Sequence, residues 1–410
     1  MISRPLVIHS LIIWALSFSI NISAEVRLGT ALMPPYQKET PVGIKGSAVD
    51  TILCVLEEIS EESNIELFPS SRLIYSLKHL ETDAIFSLGD RNPNIGVPSS
   101  PIVLEKWYWF YNEVNLKINP ENKDVRVAVV RGSEAEYWLR KQGYNNVFTV
   151  NIIEQALKML NTGRINVVLA DNLQVQEASR TMGLMVPSEF SLFQKFTSLR
   201  VHFSPSYLDK NPDLLPAFNN NIQYCNPAGS YLTLADKSAL LAIADSIREW
   251  VNTEDIKQLL IDSTSTSKNL TQTRIQELDK QWREHRGSHL EYSNSLISEV
   301  FNSHLSEKVR GFKREYSGLF SEIIITDKQG LNIAISDIPS DYWQGDEEKY
   351  LKTILTNNLS TFIDRIRFDS SSSTFQSQIN FAVTNKNSDI IGMVIVGVNV
   401  ELALKNRVLQ

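Results

Sequence analysis

Between residues 25 and about 262 short β-rich runs alternate with amphipathic helical ones, and this alternation constrains the fold more than any other feature. Strand candidates fall at 26–32, 84–88, 125–130, 167–170 and 198–203. Helix candidates fall between them, at 48–58, 73–80, 134–142, 153–160 and 214–224. Strands that alternate with helices predict an α/β architecture, because each apolar strand run needs helices to cover its faces.

The texture changes after residue 261. Residues 262–268 form a polar Ser/Thr cluster, taken as a domain boundary, and residues 270–320 then carry helical apolar spacing with few breakers. Leu278, Trp282, His285, His289, Tyr292, Leu296, Val300, Leu305 and Phe312 fall near one face of such a helix. That apolar face is also a candidate surface for a homodimer. The last ninety or so residues return to strands: 322–326 and 331–336 are joined by the turn Asp327-Lys328-Gln329-Gly330, and 375–384 and 390–400 by the polar turn 385–389. A long helix leading into an antiparallel sheet predicts an α+β module.

The amino terminus points to export. Arg4 precedes a mostly apolar run over 5–20, and the short residues 21–24 follow, a pattern that predicts a signal peptide over 1–24 cleaved after Ala24. His9, Ser10, Ser17 and Ser19 interrupt the run, which makes it a poor membrane span. The expected location is the periplasm. With 410 residues the chain exceeds one ordinary core, and a net charge of −7 with scattered Lys and Arg offers no footprint for nucleic acid. Two cysteines are present, Cys54 and Cys225; in an oxidising compartment they are either a disulfide or two buried thiols, and sequence alone leaves both open.

Residues 26–261 resemble the family 3 periplasmic solute-binding proteins. The resemblance rests on Met33-Pro34-Pro35-Tyr36, on 46–57, on Thr82-Asp83-Ala84-Ile85-Phe86-Ser87, on Arg91 followed by Ser99-Ser100-Pro101, on 127–133, on 163–171 and on 214–231. It implies two α/β lobes, about 25–112 with 204–262 and about 113–203, closing around a ligand. By that resemblance Arg91 would hold a ligand carboxylate, to which a planar guanidinium donates two parallel hydrogen bonds, and Asp171 would face a ligand ammonium. The competing readings are a surface arginine and a helix-capping aspartate. Ser133, at a helix start, is a candidate for an anionic group or a plain N-cap. Ser87 offers a hydroxyl, Arg72 a second cation, and Tyr36 and Trp107 flat faces for stacking or for packing.

Residues 263–410 are similar to the single Cache sensor domains, extracellular relatives of the PAS fold. The similarity rests on 323–330, on Ala334-Ile335-Ser336-Asp337, on Ser340-Asp341-Tyr342-Trp343-Gln344-Gly345-Asp346-Glu347 and on 390–400. It implies a long N-terminal helix on a sheet that encloses a small pocket. Tyr342 and Trp343 could supply its apolar walls, and Asp337 and Asp346 could engage a cation, against the alternative that the aromatic pair lids a core.

For an enzyme, no Ser/His/Asp arrangement, metal-ligand spacing or phosphate loop stands out. His285 and His289 have helical i,i+4 spacing but lack the glutamate of a metalloprotease motif. The run Gly345-Asp346-Glu347-Glu348 lacks the hairpin context of a nucleotide cyclase, and the second half does not resemble the lysozyme-like part of muramidases with a solute-binding domain. No cofactor is called for. The expectation is a sensory receptor for a small polar solute, an amino acid or related amine or carboxylate, that signals through a separate membrane sensor kinase or transducer. The alternative is a substrate receptor for an ABC-type permease.

Overall fold

The computed structural model describes residues 25–89, 95–112, 117–183, 191–226, 232, 234–266, 270–286, 295–355, 359–369 and 374–406. The expected signal peptide and Arg91 lie outside the described residues, as does the side chain of Ser87. Among the described residues no helix is long and apolar enough to cross a membrane.

The first unit is α/β, with a two-lobed sheet whose lobes are joined by the paired strands Val103–Phe110 and Ser191–Phe203. Val26–Thr30 pairs in parallel with Ser63–Leu67 and Ala84–Leu88, and on the other side Val127–Val130 pairs in parallel with Val147–Val150 and Val167–Asp171. Helices Ser47–Glu58, Ile153–Asn161 and Asn172–Met182 cover these strands, as parallel pairing requires. The long strand Ser191–Phe203 belongs to both halves: its first part pairs with Val103–Phe110, and from Arg200 onward it pairs with Ala84–Leu88, with a register shift at Arg200/Val201. A bulge there lets one strand turn from one lobe into the other.

Lobe 1 is closed by helix Leu214–Cys225, whose Phe218 and Ile222 enter the core formed by Leu28, Ile52, Leu56, Phe86 and Phe203. Cys54 and Cys225 are joined in a disulfide with Cα atoms 5.6 Å apart, which ties this helix to Ser47–Glu58.

The carboxy-terminal unit is a six-stranded antiparallel sheet in the order Asn332–Ile335, Phe320–Asp327, Ile390–Asn399, Thr374–Thr384, Phe362–Ile363, with Arg367–Asp369 beside Thr374–Thr384. Both faces are buried, and the residues show why. Successive strand residues point to opposite faces, so Ile323 and Ile325 enter one core while Ile324 enters another. The continuous runs Ile323-Ile324-Ile325 and Met393-Val394-Ile395-Val396 satisfy both at once.

Two features differ from the sequence expectation. In place of one helix over 270–320 the described residues hold three, Gln272–His285, Ser295–Phe301 and His304–Glu315. Ser303 starts the third by accepting the backbone N–H of Ser306, and Arg286 ends the first in an extended conformation. Their apolar faces are used internally: Trp282, Ile297 and Val300 pack on one face of the sheet, and Leu305, Val309 and Phe312 on the other. A dimer through that face would have to strip the sheet of its cover.

The second difference concerns the boundary. Helices Leu234–Val251 and Glu254–Thr266 bury Leu240, Ala244, Ile247, Ile256 and Leu260 in the same core as Ile323, Phe381 and Val396. The Ser/Thr cluster therefore ends a helix of the carboxy-terminal core instead of separating that helix from it. Leu104, Phe193 and Phe196 of the lobe-joining strands also reach this core, so the two units share apolar surface.

Candidate functional site

The cleft between the lobes is built on the ends of two antiparallel strands. Asp171 lies opposite Trp107 where Val167–Asp171 pairs with Val103–Phe110. Asp171 caps helix Asn172–Met182: its Oδ2 accepts the backbone N–H groups of Leu173 and Gln174, each at 3.0 Å. The backbone N–H of Lys106 donates to Oδ1 at 2.8 Å, and the Tyr36 hydroxyl donates to Oδ2 at 2.8 Å. Four donors on a carboxylate that is 3% exposed fulfil the capping reading of Asp171.

The Tyr36 bond spans the lobes, since Tyr36 packs in the lobe 1 core. Gly46 makes that placement possible: its φ is +138°, and a Cβ there would lie 2.3 Å from the Tyr36 carbonyl oxygen. Burial and the neighbouring carboxylates of Asp171 and Glu105 push the phenol well above its ordinary range, so it stays a proton donor. A second bond between the lobes runs from the Gly89 N–H to Glu134 Oε1 at 3.3 Å.

Between these two bonds lies a cavity of about 120 Å³, lined from lobe 1 by Leu32, Met33, Gln37 and Leu88 and from lobe 2 by Ser133, Glu134, Asp171 and Gln174. Glu105 and Trp107, two apart on one strand and so on one face, complete the wall. Glu105 is 4% exposed; its Oε2 accepts Trp107 Nε1 at 3.1 Å and its Oε1 accepts Gln174 Nε2 at 2.9 Å. Burial, then the charge of Asp171, hold its carboxyl well above the usual range, with Glu134 adding to the shift. Asp171 is also raised, by burial, against its hydrogen bonds. Arg131 is the one cation among the described lining residues.

The sign of the pH dependence follows. Above about pH 4.5, the ordinary value for Glu105, the unfolded chain has released a proton that the folded chain still holds, so stability falls as pH rises towards the folded-state value. Glu105→Gln is expected to flatten that fall, because the amide carries no charge; its oxygen still accepts the Trp107 Nε1–H, and its NH2 meets the Gln174 side chain once that amide turns its oxygen inward. Thermal midpoints of the two proteins across neutral pH check this; parallel curves would refute it.

Of the sequence candidates, Ser133, Asp171 and Trp107 line the cavity, and Tyr36 reaches it through Asp171. Ser133 acts as the N-cap of helix Glu134–Lys141, accepting the N–H of Glu136. Arg72 is exposed away from the cavity, paired with Glu81 at 3.2 Å. In the carboxy-terminal unit, Tyr342 stacks on Trp282 at 5.3 Å inside the core, and the N–H groups of Tyr342 and Trp343 both donate to Asp279 Oδ1. Asp337 is exposed and paired with Lys313 at 2.6 Å, and Asp346 is exposed. The arrangement makes the aromatic pair part of the core and leaves the two aspartates outside it.

Sequence reasoning missed Glu105, Glu134 and Gln174. The signal for Glu105 was present: Glu105-Lys106 is a charged pair inside the otherwise apolar run Val103-Leu104 to Trp107-Tyr108-Trp109-Phe110. It also missed a polar cluster on the sheet of the second unit, where Lys349 Nζ donates to Gln378, and Gln378 to Glu322. Asn380, on the same strand face as Gln378, and Thr353 are fully buried, and among the described residues the Asn380 amide and the Thr353 hydroxyl lack hydrogen-bond partners.

No protein-family model matches this chain, and no curated protein matches it. Among solved structures, it is similar to an ancestral arginine-binding protein bound to arginine, at 17% identity and a TM-score of 0.40, over 50% of this chain and 93% of that one. It is similar to a histidine kinase sensor domain with similarity to periplasmic binding proteins, at 15% identity and a TM-score of 0.41, over 50% of this chain and 91% of that one. A substrate-binding protein of an ABC uptake transporter from Streptococcus pneumoniae, with bound histidine, matches at 13% identity and a TM-score of 0.40, over 49% and 88%.

Proposed function

We propose that this chain is a periplasmic sensory receptor that binds a small cationic polar solute, an amine or amino acid, between its two lobes. The observation that carries the reading is the meeting of Glu105, Glu134 and Asp171 on one small cavity shared by both lobes. Glu105 and Asp171 are buried side by side and each disfavours the other's charge, and an ammonium group placed against them relieves both burial and mutual repulsion. The bonds Tyr36 to Asp171 and Gly89 to Glu134 are those that a closing motion makes and an opening one breaks. A solute drives closure only by binding the closed arrangement better than the open one.

Sensing is favoured over import because the cleft is wired to the carboxy-terminal unit. The Lys106 N–H holds Asp171, and the Lys106 ammonium holds Asp236 in helix Leu234–Val251. An importer's receptor uses the same cleft but gives this link no role. The partner in this reading is a separate membrane sensor kinase or transducer.

The test is a thermal-shift screen of the chain against basic amino acids and diamines, with dicarboxylates and neutral sugars alongside, since a ligand of the folded state raises its stability by mass action. A basic solute should raise the midpoint, and Glu105→Gln should remove most of the rise. Stabilisation by dicarboxylates alone would refute the charge argument.

A further inference from the structure

A larger cavity, of about 560 Å³, lies where the first unit meets the carboxy-terminal one. Its size falls in the range of small-molecule sites. Flat apolar side chains wall it from both units: Trp138 of helix Glu134–Lys141, Phe196 of the lobe-joining strand Ser191–Phe203, and Phe368 and Phe375 of the six-stranded sheet. The Phe196 and Phe375 rings meet edge to face at 5.5 Å, and those of Phe368 and Phe375 lie 5.2 Å apart, so these three rings form one continuous aromatic surface.

Its charges are unequal in engagement. Both carboxylates on the lining are bonded: Glu134 accepts the Gly89 N–H, and Glu401 accepts the Phe196 N–H and the Lys405 ammonium. Among the described residues, neither Lys141 nor Lys195 is paired with a carboxylate, although both line the cavity; the Lys195 ammonium stands 5.8 Å from the Trp107 ring centre. Thr197 Oγ1, on the same wall, is buried and has no hydrogen-bond partner among the described residues. Two unpaired ammoniums, an unsatisfied hydroxyl and an aromatic wall together specify a ligand with a flat apolar body and an anionic end.

We infer that this junction is a second ligand site, for a small aromatic carboxylate. It rests on Lys141, Lys195, Thr197 and the aromatic wall, none of which lines the interlobe cavity, although the two cavities share Trp107 and Glu134 at their borders. An anion held here touches both a strand that joins the lobes and the sheet that the sensor reading assigns to output.

Titration of the full chain with phenylacetate, its neutral analogue phenylacetamide and the cation phenethylamine tests the assignment, by calorimetry and by tryptophan fluorescence. Phenylacetate is expected to bind saturably and to weaken as salt is raised. Phenylacetamide should bind about tenfold more weakly or worse, and the double variant Lys141→Ala, Lys195→Ala should lose about as much, the scale of a lost hydrogen bond to a charged group. Lysines at the cavity rim are not core residues, so the double variant is expected to fold. Absence of saturable phenylacetate binding, equal affinity for the amide, or an unchanged double variant would each overturn the site.

Discussion

Replacing Lys106 by alanine is expected to cost about 3 to 5 kcal/mol of stability, the range for removing one partner of a buried ion pair. Lys106 Nζ lies 2.7 Å from Asp236 Oδ2, and the two side chains are 11% and 2% exposed. The cost arises less from the attraction lost than from the Asp236 carboxylate left in the interior without its ammonium. Its position in the first turn of helix Leu234–Val251 recovers only part, through the helix dipole. The companion variant separates the two contributions: Lys106→Met with Asp236→Leu removes both charges and fills the space, and it should regain much of the loss. Urea denaturation of the parent, the single and the double variant gives the comparison. A single variant within about 1 kcal/mol of the parent would mean that the pair behaves like a surface salt bridge. The double variant has a second use, because it cuts the link from cleft to carboxy-terminal unit while leaving the Lys106 backbone bond to Asp171 in place.

How much of this was legible in the sequence depended on whether a feature is local. The strands 26–30, 84–88 and 167–171 were predictable because β-branched and apolar runs are bounded by turn residues, and the lobes follow from their alternation with helices. The helix break near residue 303 was also written locally, in a serine with the spacing of an N-cap, but the surrounding apolar periodicity outweighed it. The cleft was half legible. Asp171 and Ser133 could be placed at helix starts from their neighbours, yet whether each is a cap or a ligand contact depends on groups far away in sequence, such as Tyr36 at a separation of 135. The role of the buried carboxylate Glu105 was hidden in part for the same reason: the charged pair in its apolar strand was visible, and Trp107 is two residues away, but its partner Gln174 lies at a separation of 69. Likewise the placement of helices Leu234–Val251 and Glu254–Thr266 depends on which sheet buries their apolar faces, and their own composition does not specify it.

Reduction of the Cys54–Cys225 disulfide is expected to lower stability by about 2 to 5 kcal/mol in global unfolding. The two cysteines are 171 residues apart, and the loop they close contains the whole of lobe 2. In the chain-entropy account the bond acts mainly by restricting the unfolded chain, and long loops give the larger effects. The effect should therefore depend on what unfolds. If lobe 1 opens while lobe 2 stays folded, much of the loop is already ordered, less freedom is released on reduction, and the loss is smaller than when the first unit melts as a whole. Paired Cys54→Ala and Cys225→Ala substitutions add a cost in packing, because both residues sit on helices that enter the lobe 1 core, so reductant on the unaltered chain is the cleaner comparison. Denaturation followed with and without reductant, by far-ultraviolet circular dichroism and by tryptophan fluorescence, resolves the two cases. Coincident transitions shifted by the full amount indicate one cooperative unit, and a shift confined to an early transition indicates that lobe 1 opens first. Curves that do not move on reduction would show that helix packing between Ser47–Glu58 and Leu214–Cys225 holds lobe 1 without the bond.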